Sequence, residues 1–359
     1  MIKFLHAADL HLGSAFAALP ANAARQRQAE LLETATEMVE LCNSSQCDLL
    51  LLAGDICETN EAAKSLARLL AACSAEVVLA PGNHDPYGPN GPYQGVAWPD
   101  NVSLFDDSEV ARLRFEDLKC DIYGAAFTAD TAPSLMEGFA VLDRHVVNLM
   151  VLHGDPEQPG SPYNPITQAQ IAASGLDYLA LGHIHSFSGQ RTAGQTTYAW
   201  PGCPAGRGFD ETGEKGVILG EAAHGAPVKL RFVPLHARRY ETLRVAAGSD
   251  PAAAIRAALP PNSQRDIFRV TLTGPSEPLD LRAVAAALKG QVYQLTLRDE
   301  TTRQADLWAG MDEDTLRGLF LRRLHSQWEG APDEKVRQQC ELAARFGLAA
   351  LEGKEAPKA

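Results

Sequence analysis

Five short segments of this chain carry side chains able to bind metal ions or move protons. They are Asp9-Leu10-His11, Gly54-Asp55, Gly82-Asn83-His84-Asp85, His153-Gly154-Asp155 and Gly182-His183-Ile184-His185, and each directly follows an apolar run. A single histidine is more often a surface or core residue than a ligand. Five such segments in order, each behind a strand-like run, are hard to reach by coincidence. The residue types suit hydrolysis by paired metal ions, which lie about 3.5–4 Å apart and need a bridging carboxylate with imidazole, amide and carboxylate donors. Nitrogen and oxygen donors without thiolate suit Mn²⁺, Fe or Zn²⁺ rather than Ca²⁺. Asp9-x-His11 and His183-x-His185 would present two donors on one side of an extended segment, because strand side chains alternate. Glycines ahead of Asp55, Asn83 and His183 would allow tight turns and close backbone approach. His6, His145, His224, His236 and His325 lie outside such contexts and read as structural.

The elements that must position these side chains follow from the apolar runs. Ile2 to Ala8, Leu49 to Ala53, Val77 to Ala80, Val146 to Leu152 and Tyr178 to Leu181 fit strands buried on both faces. Leu31, Ala35, Met38, Val39 and Cys42 recur at helical spacing and predict a helix over Ala23 to Cys42. Thr59 to Ala72 predicts another, with Thr59 or Asn60 as N-cap. The alternation predicts a largely parallel α/β core covered by helices. In such sheets ligands gather beyond the carboxyl ends of the strands. Two proline-rich loops, Pro86 to Asn101 and Pro156 to Pro165, each follow a ligand-bearing segment and should rim the site. Their Tyr87, Tyr93, Trp98 and Tyr163 either stack on unpaired bases or pack the loops together.

From 240 to 299 the pattern changes. Glu241 to Ala246, Ile267 to Thr273 and Val292 to Arg298 read as strands, with helices over Asp250 to Leu259 and Leu279 to Lys289 between them. Beyond Asp312 the chain reads as two helices broken at Gly330-Ala331-Pro332. The first carries an apolar stripe of Leu316, Leu319, Phe320, Leu324 and Trp328; Val336, Cys340, Ala343 and Leu351 lie in the second. The tail from Gly353 to Ala359 reads as disordered. The expected domains are 1–236, 237–300 and 301–359.

A chain of 359 residues, 45% hydrophobic, has room for one large domain and smaller additions. It holds no apolar run of about 18 residues, so no membrane span is expected, and its N-terminus lacks the pattern of a signal peptide. The seven cysteines are scattered without a Cys-x-x-Cys pair, which argues against a zinc knuckle or disulfide framework and for a reducing, cytoplasmic compartment. A formal net charge of −13 opposes unaided binding to a phosphate backbone.

The order Asp-x-His, Gly-Asp, Gly-Asn-His-Asp, His, Gly-His-x-His over residues 1–185 resembles the calcineurin-like metallophosphoesterase superfamily. The run Phe4-Leu5-His6-Ala7-Ala8-Asp9-Leu10-His11-Leu12-Gly13 is similar to the start of SbcD-type DNA repair exonucleases, especially the YhaO-like group. So are Pro201-Gly202-Cys203-Pro204 and Phe209-Asp210-Glu211-Thr212-Gly213-Glu214-Lys215-Gly216, a segment that generic phosphatases of the superfamily lack as a rule. The implied fold is a four-layer α-β-β-α sandwich with a small α/β capping domain and C-terminal helices. The implied cofactor is two divalent metal ions, Mn²⁺ first and Fe or Zn²⁺ as alternatives. Asp9, His11, Asp55 and His185 would hold one metal. Asp55, Asn83, His153 and His183 would hold the other, with Asp55 bridging. His84 would face the scissile phosphate, Asp85 would orient His84 through a hydrogen bond, and a hydroxide activated by both metals would attack phosphorus in line.

Glu58 stands where many superfamily members have Asp. Cys57 reads as a buried thiol. Gly154-Asp155 after His153 differs from many SbcD sequences, which bears on the substrate more than on the metal site. The resemblance implies hydrolysis of DNA. The same centre acting on a nucleotide, a small phosphodiester or a phosphoprotein is the alternative, favoured by the acidic charge, and a non-catalytic subunit is argued against by the complete ligand set. The implied partner is an SbcC-like coiled-coil ATPase docking on residues 312–352, with a homodimer left open.

Overall fold

The computed structural model describes residues 1–303 and 307–353, and these divide into two compact units. The first comprises Met1–Leu243, Pro260–Arg269 and Gly290–Thr296; the second comprises Arg244–Leu259, Val270–Lys289 and the described residues from Leu297 onward. In chain order the strands of the two large sheets are β1 (Ile2–Ala7), β2 (Leu49–Ala53), β3 (Glu76–Ala80), β4 (Val102–Leu104), β5 (Ala111–Phe115), β6 (Cys120–Gly124), β7 (Val147–His153), β8 (Tyr178–Gly182), β9 (Arg191–Ala193), β10 (Thr196–Ala199), β11 (Gly216–Ala222) and β12 (Lys229–Pro234). One six-stranded sheet has the order β12-β11-β1-β2-β3-β4 and the other β5-β6-β7-β8-β10-β9. The centre of each is parallel, β1 to β4 in the first and β6-β7-β8-β10 in the second. β11, β12, β5 and β9 join antiparallel.

The continuous apolar runs exist because each central strand feeds two cores. In β2, Leu49, Leu51 and Ala53 face the second sheet and meet Leu149, Val151, Tyr178 and Ala180 there. Leu50 and Leu52 face the other way, onto helices α1 (Ala21–Ser44) and α2 (Asn60–Leu70). Met150, Leu152, Leu179 and Leu181 likewise turn outward, onto Ile171 of α3 (Gln168–Ser174). The result is helix, sheet, sheet, helix. All five residues of the predicted helical stripe, Leu31, Ala35, Met38, Val39 and Cys42, are buried on α1. Thr59 caps α2, its side chain accepting from the Ala62 N–H, which leaves one fewer unpaired donor in the first turn. Among the added strands, β4, β5 and β12 escape a search for apolar runs because they are only partly buried, as sheet margins are, while β6 and β10 are buried but interrupted by Asp121, Thr196 and Thr197.

A three-stranded sheet, β13 (Tyr240–Ala246), β14 (Ile267–Ser276) and β15 (Gln294–Arg303), is ordered β13-β14-β15. α4 (Pro251–Ala258) and α5 (Leu281–Ala287) alternate with its strands, capped by the side chains of Asp250 and Asp280. In the second unit α6 (Leu316–Glu329) and α7 (Glu334–Leu351) pair with each other. Leu321, Cys340 and Ala344 are buried, and the Trp328 indole N–H donates to Glu341 at 3.1 Å. The predicted stripe is only half used: Phe320, Leu324 and Trp328 are half-buried, whereas Leu316 and Leu319 stand 71% and 59% exposed. The expected disordered tail lies, past Gly353, outside the described residues. No helix among the described residues is long and apolar enough to cross a membrane.

Candidate metal centre

The carboxyl ends of β1, β2, β3, β7 and β8 converge, and with them all five ligand-bearing segments. One oxygen or nitrogen from each of Asp9, His11, Asp55 and His185 lies within 4.8 Å of the others. On the other side, His153 Nε2 is 3.0 Å from Asn83 Oδ1, and the His153 and His183 rings are 5.3 Å apart. Asp55 stands between the groups. Its Oδ2 is 3.8 Å from His11 Nε2 and 3.4 Å from His153 Nε2, while its Oδ1 accepts from the His84 N–H at 2.8 Å. Asp9 is held by the His183 N–H, at 3.1 and 3.2 Å to its two oxygens. His84 is exposed with its ring 5.4 Å from that of His11.

Four of the donors do not sit on extended strand, whereas His153 ends β7. Asp9, His11, Asp55 and His183 all have positive φ, 55°, 48°, 55° and 98°, a region costing about 1–3 kcal/mol for a non-glycine residue and concentrated at functional sites. The turn after β1 is held against the turn after β2: the N–H groups of Asp9, His11 and Leu12 donate to the carbonyls of Gly54, Asp55 and Ile56 at 3.0, 2.9 and 2.9 Å. The glycines serve close approach. A Cβ on Gly54 would overlap the His153 ring, and one on Gly82 would overlap Asp55.

Asp85 has a different job from the one expected. Its buried carboxylate accepts from the N–H groups of Asp55 (3.0 Å), Ile56 (2.5 Å), Cys57 (3.1 Å) and Gly82 (2.6 Å), and from the Tyr93 hydroxyl. It organises the turn that presents Asp55 rather than the His84 ring. Tyr93 is thereby committed to the interior, 3% exposed and packed on Trp98 with ring centroids 5.9 Å apart. It is not available to stack on a base, whereas half-buried Tyr163 lies 5.2 Å from the His183 ring.

Three of the imidazoles are oriented from behind. His153 Nδ1 lies 3.0 Å from the Ala53 carbonyl, His11 Nδ1 lies 3.0 Å from Glu58 Oε1 and His185 Nδ1 lies 2.7 Å from Glu211 Oε1. A partner on Nδ1 fixes the tautomer and ring and leaves Nε2 for a metal. Glu211 and its neighbours Arg207 and Lys215, whose Nζ donates to the His185 carbonyl at 3.0 Å, are site residues that reading the sequence left unassigned. The signal was the segment from Pro201 to Gly216 itself.

The electrostatics follow from burial against charge. Burial raises the Asp9 carboxyl despite the imidazoles nearby. Burial works the same way on Asp55, but His153 and His11 outweigh it and hold that carboxyl well below its usual range. His153 shows the converse: burial disfavours its cation, yet Asp55 lifts it to about 9. Burial and the charge on His153 pull His183 down to about 4. His6, read as structural, is buried on Tyr178 and the Leu181 carbonyl at 2.9 and 3.0 Å, and burial takes it down to about 3.

The donor set fits a pair of divalent ions. Nitrogen and oxygen donors surround one carboxylate that faces both halves, and His11 Nε2 is fully buried with no hydrogen-bond partner, a cost that a metal bond would remove. The calcineurin-like phosphoesterase family model matches residues 2–187. The chain belongs to that family. The calcineurin-like match covers every candidate ligand, including the Asp9, His11, Asp55 and His185 group, whose donor atoms are close enough to share a metal ion. Among curated relatives, the uncharacterized metallophosphoesterase YhaO of Bacillus subtilis is 31% identical over 243 residues, 62% of this chain and 58% of that protein. The DNA double-strand break repair protein Mre11 of Methanopyrus kandleri is 25% identical over 266 residues, 65% of this chain and 56% of that protein. The chain thus spans less than two thirds of the length of either relative. A dimetal phosphatase of Danio rerio aligns with TM-score 0.42 at 11% identity, over 64% of this chain and 95% of that one.

Proposed function

We propose that this phosphoesterase cleaves phosphodiester bonds in DNA, as a nuclease of the SbcD/YhaO-like type. One observation carries the reading. The segment from Pro201 to Gly216, which resembles SbcD-type nucleases rather than generic phosphatases, is built into the metal centre through Glu211 on His185 and Arg207 on Glu58. The likeness to an Mre11 protein named for DNA repair supports it. Asp9, His11, Asp55 and His185 would hold one ion, and Asp55, Asn83, His153 and His183 the other, with Mn²⁺ the first choice. When bound, such ions supply polarisation of the phosphoryl group and activation of water.

The chain's own residues do the rest. Exposed His84 would face the scissile phosphate and protonate or stabilise the leaving oxygen. Asp85 keeps the Asp55 turn in shape. Tyr163, beside His183, offers a stacking face to an unpaired base.

The net charge of −13 favours a second reading, a nucleotide, small phosphodiester or phosphoprotein substrate, unless a partner brings the basic surface. Exposed Leu316 and Leu319 support residues 312–352 as the docking site for an SbcC-like coiled-coil ATPase; Leu316→Glu with Leu319→Glu then abolishes co-purification with it while turnover on small diesters stays. Seven buried free cysteines support a reducing, cytoplasmic setting. The test of substrate is a Mn²⁺ assay on linear duplex DNA, single-stranded DNA and bis-p-nitrophenyl phosphate. DNA cleavage is expected, and hydrolysis of the small diester with intact DNA would favour the second reading.

A further inference from the structure

Two of the candidate ligands, His11 and His185, are backed by glutamate carboxylates, whereas His153 is backed by a main-chain carbonyl. His11 Nδ1 is 3.0 Å from Glu58 Oε1, and His185 Nδ1 is 2.7 Å from Glu211 Oε1. Arg207 joins the two carboxylates: Nη1 donates to Glu58 Oε1 at 3.2 Å and Nη2 to Glu211 Oε1 at 2.9 Å. Its main-chain N–H also donates to Glu211 Oε2, at 2.6 Å. The chain of contacts therefore runs unbroken from one imidazole to the other. On the opposite side, His153 rests on the Ala53 main-chain carbonyl, and His183 packs on Tyr163.

We propose that Arg207 is a positioning residue for one half of the centre, aligning His11 and His185 through Glu58 and Glu211 so that the ion held with Asp9 binds tightly while the ion held by Asn83, His153 and His183 does not depend on it. Charge alone would predict the reverse, since removing a cation strengthens the field that attracts Mn²⁺. Geometry decides against that. Glu58 is 27% exposed against 4% for Glu211. Freed of the guanidinium and repelled by Glu211, it turns to solvent, and His11 loses the partner that fixes its ring. A lysine restores the charge but not the planar fork that spans two carboxylates.

The proposal rests on the two-ion reading, and its test separates the two. Mn²⁺ is titrated calorimetrically into wild type, Arg207→Ala, Arg207→Lys and Glu58→Ala, with electron paramagnetic resonance reporting paired or isolated ions. Wild type is expected to bind two. Arg207→Ala is expected to keep one and hold the other about 10- to 100-fold more weakly, leaving an isolated-ion signal at intermediate Mn²⁺. Arg207→Lys stays weakened, and Glu58→Ala, with Arg207 and Glu211 in place, reproduces the selective loss. The retained ion doubles as a check that the variants fold. Two ions bound as tightly in Arg207→Ala as in wild type, equal weakening of both, or full recovery in Arg207→Lys would overturn the inference alone. Fewer than two ions in wild type would overturn the two-ion reading and the inference with it.

Discussion

The Asp55 N–H donates to Asp85 Oδ1 at 3.0 Å, so the carboxylate expected to orient His84 instead shapes the turn that carries the candidate bridging ligand. Replacing Asp85 with Asn puts an NH₂ group where main-chain N–H donors converge, leaving buried donors unpaired. Asp85→Asn is expected to lose about 1–3 kcal/mol of stability and to bind both metals less tightly. Urea unfolding and metal analysis check this. A variant with normal stability and metal content but slow turnover would restore the role of orienting His84.

His84 itself is exposed and gives only its main-chain N–H to Asp55. His84→Gln should therefore keep two metals and lower turnover by about 10²-fold or more if the ring supplies the proton to the leaving group. Loss of a metal in this variant would make His84 a ligand.

What could be read from the sequence depended on burial. Leu49 to Ala53 declares itself a strand because both of its faces are covered, and Asp55 stands out because it follows such a run. The same holds for Asp9, His153 and His183. The bent backbone of Asp9 and His11 could not be read, since positive φ leaves no mark on a residue that is not glycine, and an extended Asp-x-His was the natural expectation. Arg207 and Glu58 lie 149 residues apart, and no periodicity links them. Asp85 was recognised as part of a motif, but its partners lie 28 to 30 residues back on the turn after β2, so its role was open to the wrong assignment. Tyr93 and Tyr163 occupy similar proline-rich loops, and only packing separates the buried ring from the one beside the site.

That difference gives a paired prediction. Tyr93→Phe removes a hydroxyl bonded to buried Asp85 and should cost about 1–3 kcal/mol of stability with little change in DNA affinity. Tyr163→Ala should leave stability nearly unchanged and weaken single-stranded DNA binding by about 1–3 kcal/mol, with the KM for a small diester unaffected. Unfolding curves and fluorescence anisotropy distinguish them. Equal DNA affinity in wild type and Tyr163→Ala would leave Tyr163 a packing residue.

His6 makes stability depend on pH. Its pKa falls from an ordinary 6.5 to about 3 on folding because burial disfavours the cation, so the unfolded chain binds the extra proton. The contribution is complete above pH 6.5 and is lost as pH falls from there toward about 3. Between pH 7.5 and 5.0, in chelator, wild type should lose about 2 kcal/mol more than His6→Asn. Urea unfolding at the two pH values measures it, and identical losses would mean that His6 is charged in the folded protein or already neutral in the unfolded chain.

Asp55 carries the central claim, because its Oδ2 lies 3.8 Å from His11 Nε2 on one side and 3.4 Å from His153 Nε2 on the other. The direct measurement is metal content and turnover of wild type and Asp55→Asn after loading with Mn²⁺ and removal of excess. Two ions per wild-type chain are predicted, with both lost or loosely held in Asp55→Asn and nearly all activity gone, whereas a variant holding two ions and turning over at a near-normal rate would contradict the account.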